Sequence, residues 1–376
     1  MTALLLAVSV AMALAHAPGG ASDWPRSAPE MEGLDRAALD VFDRELASGA
    51  QGYVDSMLVI RHGRIVYEKT YDHSKDYARL FEGRGAPGIY NYYDPGWHPF
   101  YKSTRLHTMQ SVSKSVTSAL VGIAIGRGEI AGVDTRVMPL LSDWRVPPDP
   151  RRDRMTLRDV LTMTTGIRWD EETADYTDPK NNCAAMEGKD DWVRYVLEQP
   201  MAEEPGKTFV YNSGATMLLS AALQKTTGRT ADDYAKEHLF APLGIDAFYW
   251  KRTPKGLSDT EGRLYLAPTD LAKLGELYMR DGVWRGKRIL PEGWASESTR
   301  PRVKAGKHRY GYQWWVVSEK GPSTYESYAA WGYGGQFLFV VPQLDMIAVF
   351  TGWNIYDKPE LDPLLALGRV LKAVNR

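Results

Sequence analysis

The chain has 376 residues, 44% hydrophobic and 25% charged, an ordinary globular composition long enough for one large domain or two joined ones. Its formal net charge of −1 excludes a global field favouring nucleic acid or an anionic membrane. The single cysteine, Cys183, excludes an intrachain disulfide and a cysteine-rich metal site, and its polar setting (178–183) points to a bland thiol.

Residues 1–17 form an apolar run ending in Ala15-His16-Ala17, the pattern of a cleaved export signal, although no Lys or Arg precedes the run. An exported chain, periplasmic or secreted, with no stable membrane association after cleavage is therefore expected. No other stretch approaches the ~18 apolar residues of a membrane span. Leu34, Ala38, Val41 and Phe42 then recur at helical spacing. Residues 55–68 read as a β-hairpin with His62 as a solvated residue at its tip. The stretch 70–104 is rich in Gly, Tyr, Asp and Pro and shows no period, which suits either a cleft wall or a loop anchored by its aromatics.

From Ser111 onward, Val112, Val116, Leu120, Ile123 and Ile125 mark a helix that stops at Gly126-Arg127-Gly128. It is apolar around much of its circumference, so it should be buried. Residues 133–265 read mostly helical, with helices at 155–166, 190–198, 213–226 and 231–239. Pro268-Thr269-Asp270 caps another, reaching Arg280. After Lys287 the pattern turns strand-like: 310–317 as one strand, then 328–331, 336–342 and 346–350. Asp362 and Pro363 open a terminal helix. This order predicts an α+β fold: an antiparallel β-sheet flanked by N- and C-terminal helices, built from 18–130 and 285–376. A mainly helical domain, 131–284, is inserted, and the active site falls in the cleft between them.

The chemistry centres on Ser111-Val112-Ser113-Lys114. A spacing of three puts both polar side chains on one helix face. A serine needs a base to become a nucleophile, and a desolvated lysine can serve. The bland alternative is an N-capping serine followed by a solvated lysine. A lysine in the first turn of a buried helix speaks against it, because a buried ammonium is costly without partners. No G-x-S-x-G elbow, P-loop or H-E-x-x-H motif is present. His62, His73, His98, His107, His238 and His308 lack ligand-like spacing, and no metal is expected. A Ser–His–Asp triad would have to draw on His98 or His107.

Two further stretches join the first: Tyr211-Asn212-Ser213 at a helix start, and Trp331-Gly332-Tyr333-Gly334-Gly335 on a late strand. In order and separation the three resemble the serine β-lactamase and penicillin-binding-protein superfamily. The look is closest to class C β-lactamases, family VIII carboxylesterases and 6-aminohexanoate-dimer hydrolases. Framework stretches at 161–166, 240–245 and 266–271 share the resemblance, which runs from about Trp24 to the last helix. It implies a β-lactamase/transpeptidase-like fold and an acyl-enzyme on Ser111, with no cofactor. It further implies that Lys114 shares or takes the serine proton, and that Tyr211 is a second base or acid. Backbone N–H groups of Ser111 and Tyr333 would hold the oxyanion, and Ser213, Trp331 and Gly332 would support substrate.

Two departures matter. The class C pattern Tyr-x-Asn has Ser213 in its third place. The Lys-Thr-Gly or His-Thr-Gly pattern is Ala330-Trp331-Gly332, without the cation that grips a β-lactam carboxylate. The expected activity is therefore hydrolysis of a small-molecule ester or amide. A β-lactamase or DD-peptidase is the alternative, and a catalytically silent ligand-binding protein the second. The loops at 70–104 and 170–190 should shape the choice of substrate.

Overall fold

The structure, a computed structural model, describes residues 24–81, 98–317, 325–355 and 360–375. The expected export signal and the aromatic stretch 88–95 lie outside the described residues. Two N-terminal strands, Val54–Arg61 (β1) and Arg64–Thr70 (β2), form a hairpin whose turn is His62-Gly63. His107–Thr108 (β3) pairs with Leu264–Leu266 (β5), which also pairs with Tyr249–Trp250 (β4). Val283–Trp284 (β6) and Lys287–Arg288 (β7) make a small hairpin. The late strands are Val303–Ala305 (β8), His308–Tyr310 (β9), Trp315–Val317 (β10), Ser327–Gly332 (β11), Gln336–Val341 (β12) and Met346–Gly352 (β13). They join the first hairpin in one antiparallel sheet, ordered β2-β1-β13-β12-β11-β10-β9-β8. Pairing of β1 with β13 brings the two ends of the chain together.

Both faces of the central strands are apolar, with a period of two. Met57 and Val59, Phe337 and Phe339, Ala348 and Phe350 face one side. Leu58 and Ile60, Leu338 and Val340, Ile347 and Val349 face the other. Such strands need cover on both sides. The first face receives Leu39, Phe42 and Leu46 from the helix Arg36–Ala47, and Ala366, Leu367 and Val370 from Pro363–Lys372. The second face is covered by the helices Pro268–Met279 and Val112–Gly126, the latter also packing on Ser213–Thr227. Every residue from Val112 to Ala124 is buried, as expected of the helix that Ser111 opens. The α+β architecture is thus the one the sequence implies.

Several details differ. The first helix turns Leu39, Phe42 and Leu46 inward, whereas Val41 is 46% exposed and Leu34 precedes the helix as a buried residue bridging to Val374. A short helix, Ser74–Phe81, occupies part of the stretch read as aperiodic. Residues 310–317 are not one strand. Gly311 to Trp314 reverse the chain, so that Trp315 on β10 pairs back with Tyr310 on β9. Gln313 adopts φ +62 and its amide donates to the carbonyls of Val160 and Leu161 at 3.1 and 3.2 Å. That tie to the helical part of the chain bends the segment out of the sheet. Pro268 stands at the first turn of its helix, but Ala267 offers no side-chain cap, and Asp270 pairs instead with Lys273 at 2.9 Å. Asp362 caps the last helix as expected, accepting from the Leu365 amide at 2.8 Å.

Candidate active site

Ser111 emerges from a forced turn. The Met109 amide bonds to the Leu264 carbonyl at 2.7 Å, ending the β3–β5 ladder, and Gln110 takes a left-handed φ of +46. Such conformations in non-glycine residues cost energy and cluster at functional sites. Ser111 follows at the head of the buried helix, and its hydroxyl makes no capping bond. Lys114, one turn on, is only 1% exposed. Its Nζ donates to Ser111 Oγ at 2.9 Å and to the Glu261 carbonyl at 2.6 Å, with the Glu261 carboxylate 3.9 Å away. The solvated-lysine alternative is therefore incorrect: this ammonium is buried and aimed at the serine.

Tyr211 is held by the start of the helix Ser213–Thr227, whose N-cap is Asn212, accepting from the Ala215 amide at 2.8 Å. The half-buried Tyr211 ring lies 5.3 Å from Lys114 Nζ. It stacks on Trp315, which stacks in turn on Trp331, with centroids 6.0 and 4.9 Å apart. Burial pushes the Tyr211 phenol well above its ordinary range, and the Glu171 carboxylate pushes the same way. A hydrogen bond with the Ser111 hydroxyl pulls in the opposite direction but does not prevail. The surroundings thus favour the protonated phenol in the resting site.

β11 supplies the third wall. A Cβ on Gly332 would stand 2.5 Å from the Met109 carbonyl oxygen. Only glycine lets this strand press against the turn that precedes Ser111. Gly332→Ala should therefore force β11 away from that turn and lower kcat/KM by about 10²-fold, a typical cost of a 1 Å misplacement, as steady-state kinetics on a folded variant would report. Gly334 and Gly335, with φ of +88 and +103, make the turn into β12. Ser111, Tyr211, Trp315, Trp331, Gly332 and Tyr333 line one cleft of about 390 Å³. Tyr176, from the loop at 170–190, closes it with its ring 5.1 Å from Tyr333. Ala330 is buried in the core, and the charged groups lining the cleft among the described residues are Glu360 and Asp362.

Ser213 does not face this cleft. Its amide and hydroxyl donate to Glu171, at 2.8 and 2.7 Å. Sequence reasoning missed Glu171, which is 2% exposed although it sits in the polar run Asp170-Glu171-Glu172. Trp169 Nε1 also donates to it at 2.5 Å, and Tyr176 Oη at 3.2 Å. Burial pushes its carboxyl above the ordinary range, with the nearby Lys114 charge opposing. Nothing in the local pattern separates Glu171 from its two acidic neighbours.

Behind Lys114, Cys183, Glu187 and Glu261 bring potential ligand atoms within 4.8 Å of one another. Glu187 pairs with Arg263, and the Glu261 carboxylate lies 3.9 Å from Lys114. Cys183 Sγ points at Glu261 at 3.8 Å. The histidine alternatives fall away. His107 commits one ring nitrogen to Asp55 at 2.9 Å and the other to the Thr108 carbonyl at 2.9 Å, and His98 bonds to the Phe100 backbone.

The chain is similar to known hydrolases over most of its length. The 6-aminohexanoate-dimer hydrolase of Paenarthrobacter ureafaciens is 25% identical over 301 residues, 72% of this chain and 71% of that one. An N-acetylmuramyl-L-alanine amidase of Bacillus subtilis is 22% identical over 59% of the chain, which spans 47% of that protein's length. Among solved structures, EstCE1, a hydrolase with promiscuous acyltransferase activity, superposes with a TM-score of 0.67 at 16% identity, covering 90% of this chain and 99% of that one. Residues 7–354 match the Beta-lactamase family model, and the chain belongs to that family.

Proposed function

We propose that this chain is a serine hydrolase that cleaves small-molecule esters or amides through an acyl-enzyme on Ser111. The observation that carries the reading is the buried Lys114 Nζ, 2.9 Å from a serine hydroxyl that opens on the cleft. In this account Ser111 Oγ attacks the substrate carbonyl carbon and passes its proton to the Lys114–Tyr211 unit, which acts as the base in the form that has lost one proton. As the tetrahedral intermediate collapses, the substrate's C–O or C–N bond breaks, the unit returns that proton to the departing alkoxide or amine, and the acyl group stays on Ser111 Oγ. Water then repeats the sequence, releasing the acid and restoring the serine. The amides of Ser111 and Tyr333 are the proposed donors to the oxyanion. Trp331 and Gly332 border the substrate, and Ser213 acts indirectly through Glu171.

The β-lactamase and DD-peptidase alternatives require a grip on a substrate carboxylate. Ala330 is buried and uncharged, and Glu360 and Asp362 on the cleft wall would repel an anion. The silent-binder alternative leaves the buried Ser111–Lys114 contact without a purpose. Residues 1–17 are read as an export signal; no helix among the described residues is long and apolar enough to cross a membrane.

The test is a matched screen of p-nitrophenyl butyrate against nitrocefin. The ester should turn over with a kcat/KM at least ~10-fold higher, a transition-state difference of about 1.4 kcal/mol. Equal or greater turnover of nitrocefin would favour the lactamase reading.

A further inference from the structure

We propose that Glu171 is a positioning residue for the acyl transfer: its buried carboxylate clamps the turn that presents Tyr211 and sets a fixed negative charge behind the Tyr211–Lys114 pair. The inference rests on the reading of Ser111 as nucleophile and names a residue that the three motifs do not include.

The geometry has two parts. First, Glu171 gathers four donors from three places in the chain. Oε2 accepts from the Ser213 amide at 2.8 Å and from Trp169 Nε1 at 2.5 Å. Oε1 accepts from Ser213 Oγ at 2.7 Å and from Tyr176 Oη at 3.2 Å. Ser213 lies two residues beyond Tyr211, so the carboxylate fixes the loop-to-helix turn that sets the phenol. Tyr176 lines the cleft, so the same carboxylate fixes part of the substrate wall. At the place where the class C pattern has Asn, the Ser213 hydroxyl adds one donor to this buried acid beside the backbone amide.

Second, the donors and the Lys114 charge favour the ionised Glu171 against its burial, and that charge is placed where it biases protons. Around Tyr211 stand Glu171, Glu261 and Cys183 on the acidic side and Lys114 on the basic side, with Tyr310 adjoining. Around Glu171 itself stand Lys114, Ser213, Trp169 and Tyr176. A nearby negative charge favours the proton-bearing form of both phenol and ammonium. Glu171 therefore makes Tyr211 hold its proton more tightly.

Glu171→Gln isolates the charge. The glutamine carbonyl can still accept from the two N–H groups, and its amide can donate to the hydroxyls of Ser213 and Tyr176, which rotate to accept. The experiment measures the rate at which a fluorophosphonate phosphonylates Ser111, followed by peptide mass spectrometry across pH, in wild type, Glu171→Gln and Ser213→Ala. The expected result is that the acid limb of the rate profile moves to lower pH in Glu171→Gln, by about one unit. In Ser213→Ala, which keeps the charge, the plateau falls without displacement of the limb. A limb unmoved in Glu171→Gln, with or without a lower plateau, overturns the inference while leaving the nucleophile assigned. No adduct on Ser111 in wild type overturns the underlying reading as well.

Discussion

Ser111→Ala should lower p-nitrophenyl butyrate turnover by about 10⁴-fold or more, to the level left by binding and oxyanion contacts alone. The alanine removes one half-buried hydroxyl at the head of a helix that is buried by its apolar residues, not by the serine. The hydroxyl makes no capping bond, so the helix loses nothing on which its start depends. Circular dichroism and thermal unfolding should accordingly change little while activity disappears. A variant that retained wild-type turnover would remove Ser111 from the chemistry.

Lys114→Ala is expected to act twice. Loss of the group that shares the serine proton should cost roughly 10²–10⁴ in rate, the usual range for general acid–base work. The fold should suffer too. Lys114 is the cation beside Glu261, and its removal takes that partner from a buried carboxylate. Breaking a buried pair from one side typically costs about 3–5 kcal/mol. Denaturant unfolding should therefore show a lower midpoint for Lys114→Ala but not for Ser111→Ala. Tyr211→Phe keeps the stack on Trp315 and removes only the hydroxyl, so a comparable loss of rate with a smaller loss of stability is expected. Turnover within threefold of wild type in both variants would contradict the shared-proton account.

The contrast between these variants reflects how the site was legible in sequence. Ser111 and Lys114 were legible because a lysine in the first turn of a buried helix is costly without partners. Tyr211 and Gly332 became readable through their order along the chain. Glu171 did not, since its burial depends on donors from Trp169, Tyr176 and Ser213 that come together only in three dimensions. Ser213 was assigned to the substrate for the same reason: sequence gives its neighbourhood but not the direction of its side chain.

The fold shows the same division. The period-two strands near the C-terminus were recognisable because both of their faces are apolar. The reversal at Gly311–Trp314 was not, because its aromatic residues suit a strand, and the turn is set by a distant tie from Gln313 to Val160 and Leu161. In the first helix only Val41 was misplaced, since Phe42 is buried and Ala38 packs against the same cluster. Val41 is as apolar as Leu39, but packing against the sheet and the last helix selects Leu39, Phe42 and Leu46. The missing cation at position 330 was visible directly, and its site proves to be a buried core position rather than a cleft residue.

The central claim, a covalent intermediate on one serine, is tested most directly by quenching the p-nitrophenyl butyrate reaction in acid during steady turnover and mapping peptides by mass spectrometry. The account predicts one butyryl group on the peptide carrying Ser111, absent in Ser111→Ala. Continued turnover with the acyl group on another residue, or with Ser111 unmodified under conditions that trap a control acyl-enzyme, would contradict it.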